Sequence, residues 1–102
     1  MYAFSMEVPR SSDMYGQVVK ALRESGQHQP AERVLHLAVP TETGFRVTEI
    51  WETHEACDRY GDEVMRPTIE KVAGAEAVAG GPPPSEEFEV LGLQLRGERV
   101  AP

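Results

Sequence analysis

Three consecutive runs decide the fold: Arg33-Val-Leu-His-Leu-Ala-Val39, Pro40-Thr-Glu-Thr-Gly44 and Phe45-Arg-Val-Thr-Glu-Ile-Trp51. Two alternating apolar segments flank a short run of turn formers, which is the pattern of a β-hairpin. With Thr41–Gly44 as the loop, Ala38 lies opposite Val47, His36 opposite Glu49 and Val34 opposite Trp51. One face of the hairpin then carries Val34, His36, Ala38, Val47, Glu49 and Trp51. The other carries Leu35, Leu37, Val39, Arg46, Thr48 and Ile50.

Upstream, Tyr2, Phe4, Met6 and Val8 alternate with Ala3, Ser5 and Glu7, so the chain starts with a strand that Pro9 ends. This segment has no basic run and no cleavage site, so it reads as a strand and not as a signal peptide. Ser11 or Ser12 caps a helix over residues 12–25, with Asp13 favourable in its first turn and Gly26 as its stop. Met14, Tyr15, Val18, Val19 and Leu22 give that helix its apolar stripe.

Downstream, Thr53 is the expected N-cap of a second helix whose stripe is Ala56, Cys57, Tyr60 and Val64. Pro67 is expected to push Arg66 out of the α region and to open a short new turn anchored by Ile69 and Val72. Residues 73–86, rich in Ala, Gly and Pro, read as a flexible connector. Glu87–Leu95 reads as a last strand covered on both faces, and residues 97–102 as a frayed tail.

The order is β-α-β-β-α-β, the α+β ferredoxin-like arrangement with a four-stranded antiparallel sheet. Right-handed crossovers place both helices on one face of the sheet. The opposite face would expose Leu35, Leu37, Val39 and Ile50, an apolar area that calls for a second copy. The expectation is a homodimer closed into an α/β barrel, from a single domain spanning residues 1–102.

Composition excludes several classes. The 102 residues are 40% hydrophobic and 26% charged, with seventeen acids against ten bases and a net charge of −7. An acidic chain without a basic face is a poor ligand for nucleic acid or an anionic membrane. No apolar run is long enough to span a bilayer. The single cysteine, Cys57, can form no internal disulfide, which fits a cytoplasmic location.

The run Phe45-Arg-Val-Thr-Glu-Ile-Trp-Glu-Thr-His-Glu-Ala-Cys57 resembles a strand carrying Glu-x-Trp followed by a helix opening with Glu-Ala. This is the signature of the antibiotic-biosynthesis monooxygenase-like branch of the dimeric α/β barrel superfamily. His36-Leu-Ala-Val-Pro-Thr41 is similar to short actinobacterial-type members of unassigned function. The resemblance implies a substrate pocket between sheet and helices. It also implies one of several activities: cofactor-free monooxygenase, lactone isomerase, polyketide cyclase or haem-degrading enzyme. Many such members carry a histidine about two turns after the Trp; this chain has Tyr60 and Gly61 there and no histidine beyond His54. Haem is therefore disfavoured, although His36 remains as a substitute ligand, and no cofactor is expected.

The candidate catalytic pair is His36 and Glu49. Histidine is the side chain that changes charge near neutrality without special tuning, so His36 can serve as a base with Glu49 holding it. The competing reading is a structural hydrogen-bonded pair. Buried alone, Glu49 is costly, and it needs His36, Arg33 or Arg46 beside it. Trp51 offers a flat wall for an aromatic or polyketide-like substrate, or else packs the sheet on the second helix. Tyr60, Tyr15 and Val47 are the other candidate substrate contacts. His54 and His28 fall in a first helical turn and a loop. The histidines are too dispersed for a metal site. Cys57 reads as a small buried hydrophobe. Two functions remain open: a small cofactor-independent oxygenase, isomerase or cyclase, and a non-catalytic homodimeric module that binds a hydrophobic ligand or only assembles.

Overall fold

The computed structural model describes residues 1–96 in full and the backbone of residues 98–101. Strands β1 (Tyr2–Val8), β2 (Arg33–Pro40), β3 (Phe45–Trp51) and β4 (Ser85–Phe88) form one antiparallel sheet in the order β2-β3-β1-β4. Helix α1 (Ser12–Glu24) connects β1 to β2. A second helical segment, α2 (His54–Tyr60), a π-helical turn (Gly61–Met65) and α3 (Arg66–Ala73), leads away from β3. This is an α+β fold whose open four-stranded antiparallel sheet and two helical segments fit the ferredoxin-like arrangement.

Local chemistry accounts for the element ends. The Ser11 hydroxyl caps α1 by accepting from Met14 N, and the Thr53 hydroxyl caps α2 by accepting from Ala56 N. Gly26 takes φ +75° just past α1, and Gln27 N donates back to Leu22 O at 2.9 Å. A left-handed residue that turns the chain back in this way favours glycine. The hairpin loop closes where expected, with Thr41 N donating to Gly44 O and Pro40 opposite Phe45.

The alternating faces separate as expected. Phe4, Trp51 and Ala56 form a buried cluster, with Tyr2, Met6, Cys57 and Tyr60 packed on it, so the helices cover the face of the sheet that carries Phe4 and Trp51. On the opposite face Leu37 and Val39 are exposed, but Ile50, expected to be exposed with them, is buried at the sheet centre beside Ala3, and Leu35 is only partly exposed. Phe88, paired with Ala3, lies exposed on the same side.

Four expectations are corrected. In the hairpin, Arg33 and not Val34 lies opposite Trp51, because a bulge between Arg33 and Leu35 inserts Val34 as an extra residue. Arg66 stays α-helical at φ −58°, ψ −51°. The wider π turn precedes it, and Pro67 falls at the start of α3, where its fixed φ suits the helix that runs through it. The last strand is shorter than the apolar run suggests. β4 ends at Phe88, and Leu93–Leu95 forms strand β5, which pairs with β6 (Glu98–Ala101) as a separate hairpin. Its turn holds Arg96 at φ +53°. β4 is also exposed along its length and not covered on both faces. The same pairing places the backbone of residues 98–101 in a strand where a frayed tail was expected; Gly97 and Pro102 lie outside the described residues. The 73–86 connector contains a short 3-10 turn at Ala75–Ala77.

Candidate functional site

A cavity of about 630 Å³ lies between the sheet and the helices. Few of the helical side chains above it are fully buried: α1 buries only Val18 and Leu22, and α2 only Ala56. Its walls take in all three tyrosines, the tryptophan and two of the three phenylalanines of the chain. Val78 and the Gly81-Pro82-Pro83 run border it, so the connector forms part of its wall. An apolar concavity with a few convergent polar groups is the usual form of a small-molecule site.

The polar groups meet on Glu49. Its Oε2 accepts from His36 Nδ1 at 2.5 Å and from Arg33 Nη1 at 3.4 Å, and its Oε1 accepts from the Trp51 indole at 2.8 Å. An ionised carboxylate only accepts, so the contact assigns the ring proton of neutral His36 to Nδ1. The lone pair of Nε2 is then the acceptor for the Tyr15 hydroxyl at 2.6 Å. The result is a linear chain, Tyr15 to His36 to Glu49, that starts on α1 and crosses β2 to β3. The His36 and Glu49 side chains are 27% and 12% exposed, so the histidine is the member nearer solvent.

The register explains how the chain forms. His36 and Glu49 face each other across the hairpin, and Phe4 pairs with Glu49 from the other side, which makes β3 the floor of the site. Tyr15 stands in the first turns of α1, above that floor, and its ring meets Phe45 edge-on at 5.2 Å. Burial holds the Tyr15 hydroxyl above its ordinary pKa, with Arg33 opposing the shift and Glu49 adding to it. Tyr15 therefore stays a protonated hydroxyl that donates a hydrogen bond, not a resident tyrosinate.

Arg33 links this chain to the loop after α1. Its Nη2 donates to His28 O at 2.7 Å, and its guanidinium lies 5.9 Å from the Trp51 ring and 5.7 Å from the Tyr60 ring. Tyr60 donates to Gln27 O at 2.7 Å, so the same loop is held twice. Burial raises the Tyr60 hydroxyl as well.

All six residues singled out in the sequence, His36, Glu49, Trp51, Tyr60, Tyr15 and Val47, line this one cavity. Trp51 is 1% exposed and belongs both to the cavity wall and to the core cluster on α2. Arg46, weighed with Arg33 as a partner for Glu49, instead faces Glu7 on the opposite side of the sheet at 3.5 Å. His54 is exposed and stacks on Tyr2, apart from the Glu49 network. His28 contributes its carbonyl and lines the cavity. The place of Arg33 in the cavity is the feature that sequence reading missed. A bulge put it there, and no turn former or glycine marks that bulge in Arg33-Val34-Leu35.

Among the described residues no cluster of His, Cys, Asp or Glu could hold a metal ion, and no helix is long and apolar enough to cross a membrane. No protein-family model matches the chain, and neither does any curated protein.

Proposed function

We propose that the protein is a small cofactor-independent enzyme that moves a proton on an aromatic or polyketide-like molecule held between sheet and helices. The observation that carries this reading is the Tyr15–His36–Glu49 chain opening on an aromatic-walled cavity. A substrate hydroxyl or activated C–H that displaces Tyr15 from Nε2 meets a base already fixed in its tautomer. The substrate bond to hydrogen breaks, an N–H bond forms on His36, and the electron pair stays on the substrate as an enolate or phenolate. Glu49 stabilises the imidazolium, and the freed Tyr15 hydroxyl donates to the new oxyanion. Site charge stays constant, since a neutral acid enters and an ion pair forms inside. Return of the proton to another carbon gives an isomerase. Attack of the enolate on a carbonyl of the same molecule gives a cyclase, and its reaction with dioxygen a monooxygenase. All three fit the monooxygenase-like resemblance of residues 45–57. The protein is further proposed to work as a homodimer closed through the exposed face of the sheet, the dimeric α/β barrel.

A second reading is a non-catalytic homodimeric module. The saturation of Glu49 favours it, because three donors on one carboxylate also describe a purely structural anchor. One variant separates the two. In the enzyme, His36→Ala lowers turnover by about 10²–10⁴-fold, with a melting temperature close to the parent's because His36 is the most solvent-exposed of the ionisable partners. Unchanged turnover of a substrate that the parent converts sinks the catalytic role. A large fall in melting temperature, with no turnover in either form, supports the structural module.

A further inference from the structure

We infer that Arg33 is the anion-holding residue of the cavity, and that the cavity takes a flat apolar molecule bearing an oxyanion or carboxylate. The inference rests on the cavity being a ligand site, as proposed above, and names the charge its ligand carries.

The first observation is how Arg33 comes to face inward. Strict alternation from His36 back along β2 would put Val34 opposite Trp51 and turn Arg33 to the other face. The bulge interrupts the ladder and brings Arg33 opposite Trp51. Bulges of this kind re-aim a side chain next to a site. The outcome is a guanidinium only 13% exposed on the cavity wall of a chain whose net charge is −7.

The second observation is that Glu49 does not depend on Arg33. Its bonds from His36 at 2.5 Å and Trp51 at 2.8 Å are both shorter than the 3.4 Å contact from Arg33. Two donors already satisfy the carboxylate, and Arg33 is the loosest of the three. A guanidinium has five N–H donors in one plane. Glu49 and the His28 carbonyl engage one on Nη1 and one on Nη2, and the Tyr60 hydroxyl lies within reach of another, so the fork keeps donors for a further acceptor. The Trp51 and Tyr60 rings, 5.4 Å apart, form one aromatic wall against the guanidinium at 5.9 and 5.7 Å. A planar fork with free donors, in an apolar setting, matches a carboxylate or an enolate oxygen in both charge and shape. It is also where the negative charge created by His36 would need a partner.

The test is isothermal titration calorimetry of the full chain with 2-naphthoate and its neutral isostere 2-naphthamide. The parent protein is expected to bind naphthoate about tenfold more tightly, the size of a charge-assisted hydrogen bond. In Arg33→Met that preference for naphthoate over naphthamide disappears, the ratio of the two affinities falling to about one. Arg33→Lys keeps the charge without the fork and retains only part of the preference. Should Arg33→Met fail to fold, the parent and Arg33→Lys decide the matter between them. Equal affinity for both probes in the parent, or a preference that persists in Arg33→Met or is undiminished in Arg33→Lys, overturns the inference and leaves the cavity as a ligand site. Binding of neither probe overturns the inference together with the cavity reading beneath it.

Discussion

His36, Glu49 and Cys57 show three degrees to which a residue's surroundings can be read from its neighbours in the chain. His36 and Glu49 could be paired on paper, because a hairpin of known loop length determines which residues oppose each other. Tyr15 could be placed on the inner stripe of a helix but not onto Nε2 of His36, because that contact depends on where α1 docks. Cys57 reads as a small hydrophobe, and its surroundings make it an inert one. Burial pushes its thiol up to about 12, and the Glu49 and Asp58 carboxylates add to the shift. Since the thiolate is the reactive form, alkylation by iodoacetamide at pH 8 is expected to be about a hundredfold or more slower than for an unperturbed cysteine. The linkage has a definite sign. A thiol raised when folded stabilises the fold fully below its ordinary value of 9.0 and loses that contribution as pH rises towards about 12. Rapid alkylation of the folded protein at pH 8 would contradict the described surroundings of Cys57.

At the scale of elements, the hairpin shows both what a pattern specifies and where it stops. Loop position, register from Leu35 onward and the separation of faces all follow from alternation. The bulge at Val34 does not, since a one-residue insertion in a mostly apolar run leaves no mark in the composition. Gly44 matters for a reason outside the hairpin. A Cβ built there would lie 2.1 Å from Val8 O and 2.8 Å from Arg10 N, both backbone atoms that cannot rotate away. Gly44→Ala is therefore expected to separate the hairpin loop from the end of β1 and cost about 1–3 kcal/mol, the usual range for overpacking. Chemical denaturation measures this directly, and a variant as stable as the parent would show that the loop relaxes freely. Pro67 teaches a similar lesson. A proline rule that holds for isolated helices predicted a break, and the π turn before it kept the helix running.

For the whole molecule, the distribution of apolar surface is the main fact. The inner face of the sheet is shared between a small core and a cavity, while the outer face leaves Leu37 53% exposed beside Val39. If the proposed dimer closes through that outer face, Leu37→Asp is expected to convert a dimer into a folded monomer. Native mass spectrometry at tens of micromolar reads both masses, and far-UV circular dichroism checks the fold. A parent protein that is monomeric at that concentration removes the barrel from the proposal while leaving the cavity within one protomer intact.

The order of the elements from β1 to the second helix, their caps, the hairpin and the two faces of the sheet were legible in the amino-acid sequence alone, because each follows from local chemistry: period-two alternation, a hydroxyl before a helix, a glycine after one. Tertiary structure alone decided what those faces enclose. It left the helices standing off the sheet around a cavity, brought Tyr15 down onto His36, and turned Arg33 inward through one extra residue in β2. Each of these depends on the relative placement of segments far apart in the chain, set by the packing of the whole core, which no local window of residues contains.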